Sequence, residues 1–444
     1  MTDSSRDSLE SLLDFEVVSP EAITLSPEQI HQATLLSNQL PNESRRWQTY
    51  LNALALFAFE VWIGQRANDL VVKREPSWQP AINNVIPAVC SLNVNQFKLC
   101  LIAQGSFAAE EVAIPRAVVE LPEYIPHFYV VLEVREEQEI AVLSSFISYE
   151  QLTAQRERVN LLPDLDWTLP VPFQWFDTEV ERLLLYLRCL EPQAMLLPAA
   201  PNRSINLSTM QTELATLLPQ LQSKPIWQVL TWEQGEIVLT TPELVNWLYQ
   251  FQRQETPEAN QKSSRYLSDL LALLTQPAID VGRWLRDELD ELAQDLSWVL
   301  LPTLAPAAWR RSPANGWEDM LRELQQRGVE IPLSARGAYR DLQGAGVSLR
   351  LYAFTWSVLE ASSAEWKLLL VLGTPSQTPL PTGVRLRVSD RAGILTEQEC
   401  REGDNSSYFF LRIAEELDES LIATISFRSE IELRFPPFRF TLNE

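Results

Sequence analysis

Hydrophobic and polar residues follow two rhythms along this chain, and they alternate. From Ser26 to Trp62 the spacing is helical. Ser26-Pro27-Glu28-Gln29 supplies a hydroxyl to cap, a proline for the first turn and a glutamine to complete a capping box. The next run sets Trp47, Tyr50, Leu51, Leu54, Ala58, Val61 and Trp62 on one face, which predicts a second helix with an aromatic core stripe, stopped near Gly64. The period then falls to two. Leu92, Val94, Phe97, Leu99, Leu101 and Ala103 alternate with a slip at Asn95-Gln96, and Val112–Val118, Phe128–Val134 and Ile140–Ile147 read as further strands. Brief polar turns between them predict an antiparallel meander, one face covered by the two helices.

Prolines at 163, 170, 172, 192 and 198 interrupt the next region. Helices are expected over Asp177–Cys189, Ser208–Leu221 and Thr241–Gln252, and a hairpin over Trp227–Thr240 around Glu233-Gln234-Gly235. The polar run 254–264 reads as a linker. Helical spacing resumes over Arg265–Leu274, in a long element Asp280–Leu301 and over Trp317–Arg327. From 346 onward the two-residue period predicts strands around Val347–Ala353, Trp366–Leu372, Val384–Val388, Tyr408–Ile413, Leu421–Phe427 and Ile431–Phe435. The fold class expected is multidomain α+β: a disordered lead-in (1–14), an N-terminal domain of two helices plus antiparallel sheet (15–155), a mixed middle (156–253), the linker, a helical region (265–345) and an Ig-like β-sandwich (346–444).

Composition narrows the chemistry. Thirteen glycines among 444 residues, without a Gly-x-Gly-x-x-Gly or Gly-x-x-x-x-Gly-Lys string, leave no phosphate-cradling loop. A formal charge of −23 disfavours nucleic acid and anionic membrane, and fits either a solvated, self-repelling surface or a basic protein partner. Four cysteines (Cys90, Cys100, Cys189, Cys400) without a Cys-x-x-Cys pair, beside two histidines, make neither a zinc box nor a disulfide scaffold. Reduced thiols, a polar acidic N-terminus and a longest apolar stretch of only Leu51–Phe59 lead to the expectation of a cytoplasmic protein without secretory leader or membrane span. No cofactor is expected.

Three constellations stand out. His127 with Cys90 or Cys100 could form a base–nucleophile dyad if adjacent strands brought them together, although strand cysteines usually serve packing and no oxyanion-hole turn is visible. Trp167, Phe173, Trp175 and Phe176 form a proline-interleaved aromatic group, either an exposed docking patch or the packing of a junction. Trp356 or Trp366 could line a ligand pocket in the C-terminal strands. Acidic runs such as Asp287, Glu288, Asp290 and Glu291 read as solvated faces, and Asp404-Asn405 as a turn rather than a calcium loop.

Tyr50-Leu51-Asn52-Ala53-Leu54-Ala55 followed by Val61-Trp62-Ile63, then Ser77-Trp78-Gln79-Pro80, then Ile279-Asp280-Val281-Gly282-Arg283-Trp284-Leu285, then Gly383-Val384-Arg385-Leu386-Arg387-Val388-Ser389-Asp390, occur in that order. This ordered set resembles the cyanobacterial domain-of-unknown-function family 1822 (DUF1822) and spans nearly the whole chain. That family carries no assigned activity, so the resemblance transfers no catalytic residue. Its genes lie near those of sigma factors and caspase-like CHAT proteases, which implies a regulatory role. The family's Gly-rich turn in the C-terminal sheet is replaced here by the acidic Ala414–Ser420 stretch. The function expected is therefore a non-enzymatic interaction protein with a protein partner. The alternatives are a Cys–His hydrolase and a ligand- or sugar-binding module in the C-terminal sandwich.

Overall fold

A computed structural model describes residues 21–73, 79–105, 110–200, 207–254, 256–304, 317–344, 347–360, 363–375, 378–404, 406–417, 419–428 and 431–441. The expected lead-in and the Ser77-Trp78 motif lie outside these residues. The chain divides into two compact units, Met1–Arg203 with Thr216–Thr256, and Ser204–Ala215 with Pro257–Glu444.

The first unit is built on the predicted helices. Ser26 caps Pro27–Ser37 reciprocally with Gln29, as the capping-box pattern requires. The long helix Glu43–Arg66 follows. It covers one face of a six-stranded sheet whose order is β1 (Ile23–Thr24), β7 (Ile140–Ser148), β6 (Phe128–Arg135), β4 (Phe97–Gln104), β3 (Val89–Val94) and β2 (Val72–Lys73). Leu51, Leu54, Phe57, Trp62 and Ile63 of the helix meet Leu92, Leu99, Leu101, Val130 and Leu132 of the sheet in one core, joined by Leu183, Leu184 and Leu187 of the helix Glu181–Cys189. Each fully buried side chain of this kind contributes roughly 1.5–3 kcal/mol.

Several expectations are corrected. The sheet is mixed rather than an antiparallel meander, because β4 and β6 run parallel, Leu99 beside Phe128. β5 (Glu111–Pro115) leaves that sheet and pairs with β8 (Thr168–Pro172), and the chain continues into a helical turn at Ala117–Glu120. Trp47 is 56% exposed and lies off the core stripe. The expected hairpin at 227–240 is helical. Thr231 and Gln234 form a capping box for Trp232–Leu239, and Gly235 lies inside that helix where the Trp167 ring presses on it. The polar run 254–264 is mostly the first turns of the helix Pro257–Thr275, not an extended connector.

The second unit holds two sheets. One is antiparallel, β10 (Val299–Leu300), β11 (Arg336–Gly344), β12 (Val347–Glu360), β13 (Ser363–Gly373) and β16 (Tyr408–Glu416). The other runs β15 (Ile394–Glu399), β14 (Arg385–Ser389), β17 (Ser420–Ser426), β19 (Phe438–Arg439) and β9 (Ile279–Asp280), with β18 (Glu432–Arg434) also on β17 and a parallel β19–β9 pair. Leu351, Leu368, Leu370 and Leu411 of the first meet Leu386, Val388, Ala423 and Ile425 of the second in a shared core. The helix Trp317–Gln326 buries Trp317, Met320 and Leu324 against Tyr352, Phe354 and Trp356, on the antiparallel sheet's other face. The helix Pro257–Thr275 packs on β14 and β17.

Here too the sequence pattern misleads. Asp280–Leu301 is not one helix. Asp280 caps a 3-10 segment Val281–Arg286, Asp287 takes a left-handed φ of 59°, Asp290 caps Glu291–Asp295, and Ser297 turns left-handed again at 61°. Aspartates that hydrogen-bond nearby amides compete with helix continuation. β11 likewise falls within the region expected to be helical.

Candidate functional site

The dyad residues are held for other work. His127 precedes β6, where its N–H donates to Lys98 O (2.8 Å) and its Nδ1 accepts from Lys98 N–H (2.9 Å). Burial lowers its pKa. Cys100 is fully buried, with the Cys90 thiol beside it. That contact and burial push Cys100 well above the usual thiol range, the opposite of what an activated nucleophile needs. Neighbouring strands therefore bring Cys90 and Cys100 together, while the imidazole ring is committed to the backbone of β4.

The aromatic group is packed in pieces. The Trp167 ring, carried on a residue with φ of 61°, meets Trp232 edge-on at 5.2 Å and lies against Gly235. Arg116 stacks on the other partner, Trp232, at 4.2 Å. Phe173 stacks on Phe176 at 6.1 Å, with Phe176 buried and Trp175 half-buried. Of the four, only Phe176 is buried; Trp167 and Phe173, like Trp175, are half-buried.

Trp366 is sealed in the core of the second unit, stacked on Phe440 at 5.7 Å. Trp356 differs. One edge of it borders an open groove of about 500 Å3 together with Ile331, Pro332, Leu333, Glu330 and Arg412. Arg412 stands over the Trp356 ring at 5.6 Å. Leu333 is 68% exposed. β12 and β16 position Trp356 and Arg412, and the turn after Trp317–Gln326 brings the apolar wall across them. The groove joins an aromatic edge, aliphatic surface, one cation and one carboxylate. That composition suits binding and supplies no nucleophile with a base.

A second polar constellation was invisible to motif reading. Asp269, 0% exposed, projects from Pro257–Thr275 onto the sheet. Its carboxylate accepts from Arg387 Nε (2.7 Å) and Nη2 (3.1 Å), Ser389 Oγ (2.9 Å), Thr424 Oγ1 (2.9 Å) and Arg434 Nε (3.2 Å). The available hint was Asp269 itself, an acid within the apolar spacing of its helix. Its partners lie more than a hundred residues away, beyond the reach of local spacing. With every oxygen occupied by protein donors, the cluster is a structural lock.

Among the described residues, no group of three or more His, Cys, Asp and Glu is placed to hold a metal ion, and no helix is long and apolar enough to cross a membrane. Fold and groove together define an α+β protein of two units with an open groove on the second. The family model "Protein of unknown function (DUF1822)" matches residues 23–434, nearly the whole chain, and the protein belongs to that family. Neither the curated proteins nor the solved structures returned a match.

Proposed function

We propose that this protein is a non-enzymatic, cytosolic binding protein that acts through protein–protein contacts, with the Trp356 groove as its working surface. The observation that carries the reading is Leu333, two-thirds exposed beside Trp356 and Arg412. Interface binding energy concentrates on Trp and Arg anchors set in such pockets. The raised Cys100 thiol and the committed His127 ring support a binding role over hydrolysis. We read the paired sheets that carry the groove as an Ig-like β-sandwich, a reading their shared core supports. The test is capture from source-cell lysate by tagged wild type and by Leu333→Asp side by side. A protein retained by wild type and lost from the variant supports the proposal. Identical recovery by both, or none by either, overturns it.

A second reading has its own observation, the Trp356 ring edge beside Glu330 and Arg412. A sugar presents an apolar face and a rim of hydroxyls, which such a groove can hold. Binding on a glycan array that disappears in Trp356→Ala but survives Leu333→Asp favours the sugar over the protein partner.

A further inference from the structure

The sheet of the first unit holds two thiols side by side. Val89 of β3 pairs with Leu101 of β4 and Leu92 with Leu99, so the ladder slips between them and Cys90 and Ser91 together face Cys100 across a bulge. The regular antiparallel pairs on either side of the bulge have Cα atoms about 4.5–5.5 Å apart. This lies inside the roughly 4.4–6.8 Å span over which disulfides form. Val89, Leu99 and Leu101 lie in the core under the long helix and neither cysteine does, so by strand alternation both thiols lie on the sheet's other face. Cys90 in turn donates to Ala88 O at 3.6 Å. Only one of the two has an approach. Cys100 is sealed, whereas Cys90 lines a cavity of about 210 Å3 walled by Ile82, Tyr124, Leu239 and Val245, with Glu123 at the same cavity. Such walls admit a small uncharged molecule and discourage an anion.

We propose that Cys90 and Cys100 are a reversible oxidation site for hydroperoxides, with Cys90 the attacking thiol and Cys100 the resolving one. The Cys90 sulfur attacks one peroxide oxygen. The S–O bond forms, the O–O bond breaks, and the departing oxygen takes up the thiol proton and leaves as water or an alcohol. The Cys100 sulfur then attacks the sulfenic sulfur. The S–S bond forms, the S–O bond breaks, and hydroxide leaves with the Cys100 proton as water. The two thiols lose two electrons and the peroxide gains them. Access reserves the first attack for Cys90, which lines the cavity, while Cys100 is fully buried behind it. A dithiol reductant reverses the bond by exchange. In a reducing compartment a disulfide of this kind is transient and reports on oxidant. Forming it also removes the S–H that Cys90 gives to Ala88, so the state of the pair is written into the wall of the cavity.

Lys98 lies between the two cysteines, so trypsin leaves them on separate peptides that stay joined only through a disulfide. Folded protein is treated with graded hydrogen peroxide, alkylated, digested and mapped by mass spectrometry. The exposed Cys189 serves as an internal measure of unassisted thiol oxidation. The expected result is a linked Cys90–Cys100 pair that a dithiol reductant clears. In Cys100→Ser, a dimedone adduct should accumulate on Cys90 well above the wild-type level. Two free, alkylated cysteines at peroxide doses that oxidise Cys189 overturn the proposal, as does a link that appears only after denaturation. Equal dimedone labelling of wild type and Cys100→Ser overturns the resolving role. If the variant does not fold, the wild-type peptide map decides alone.

Discussion

Asp269→Asn takes one charge out of the buried lock of the second unit and changes the side chain's shape very little. Asp269 and Arg387 are 0% and 1% exposed. The carboxylate takes hydrogen bonds from both arms of Arg387, from Ser389, Thr424 and Arg434. An amide keeps one acceptor oxygen and turns an NH2 toward the remaining donors, so a buried guanidinium faces a donor instead of an anion. Glu432, 3.5 Å from Arg387, partly compensates. Breaking a buried pair by removing one partner costs about 3–5 kcal/mol, and Glu432 places this case near 3 kcal/mol. With a denaturant slope of about 2 kcal/mol/M, the second unit's urea transition should move down by about 1.5 M. Tryptophan fluorescence reads it, since Trp284, Trp298 and Trp366 lie in that unit's core. Asp341→Asn is the comparison. Asp341 pairs with Arg350 at 2.8 Å but is 58% exposed, so its loss should cost about 1 kcal/mol or less. Equal shifts for the two variants, or a shift under about 0.5 M for Asp269→Asn, would refute the claim that burial makes the difference.

Gly235→Ala should destabilise the first unit by about 1–3 kcal/mol through overpacking. The added methyl would sit 2.1 Å from the Trp167 ring, and thermal unfolding measures the loss. His127 should make the first unit acid-sensitive. Burial holds its folded pKa below the free value of about 6.5. The unfolded chain therefore binds more protons as pH falls, so the stabilisation is present above about 6.5 and lost below it. Midpoints measured from about pH 7 to about pH 5 should fall more steeply for wild type than for His127→Gln; parallel slopes would count against this reading. Leu333→Asp should leave stability within about 0.5 kcal/mol of wild type, because the side chain is largely exposed, while abolishing partner capture.

Local physics was legible wherever one residue's neighbours decide its conformation. Ser26 and Gln29 cap as their spacing dictates, and Leu183, Leu184 and Leu187 face inward at helical period. Thr231-x-x-Gln234 carried the same capping signal, but Gly235 read as a turn, since nothing local shows that a tryptophan ring fills the space of its missing side chain. In Asp280–Leu301 the apolar positions keep helical spacing while Asp280 and Asp290 cap new turns, so hydrophobic period and backbone chemistry disagree and the caps prevail. The groove was half legible. Trp356 could be singled out for its type, but Trp366 looked equivalent and is sealed in the core. What separates them is alternation: Trp356 lies on the sheet face covered by Trp317–Gln326, and Trp366 on the face turned toward the other sheet. The parallel β4–β6 pairing and the Asp269 lock join distant stretches, so no window of neighbouring residues contains them.

That parallel pairing has a kinetic consequence. β3–β4 and β6–β7 are hairpins that each close locally, on the order of 1–10 μs. Zipping β4 to β6 must wait until the intervening chain has looped back, the slower kind of event. Lys98 and His127 exchange hydrogen bonds at the head of that seam. The histidine is thus the clasp at which two independently formed halves of the sheet are joined.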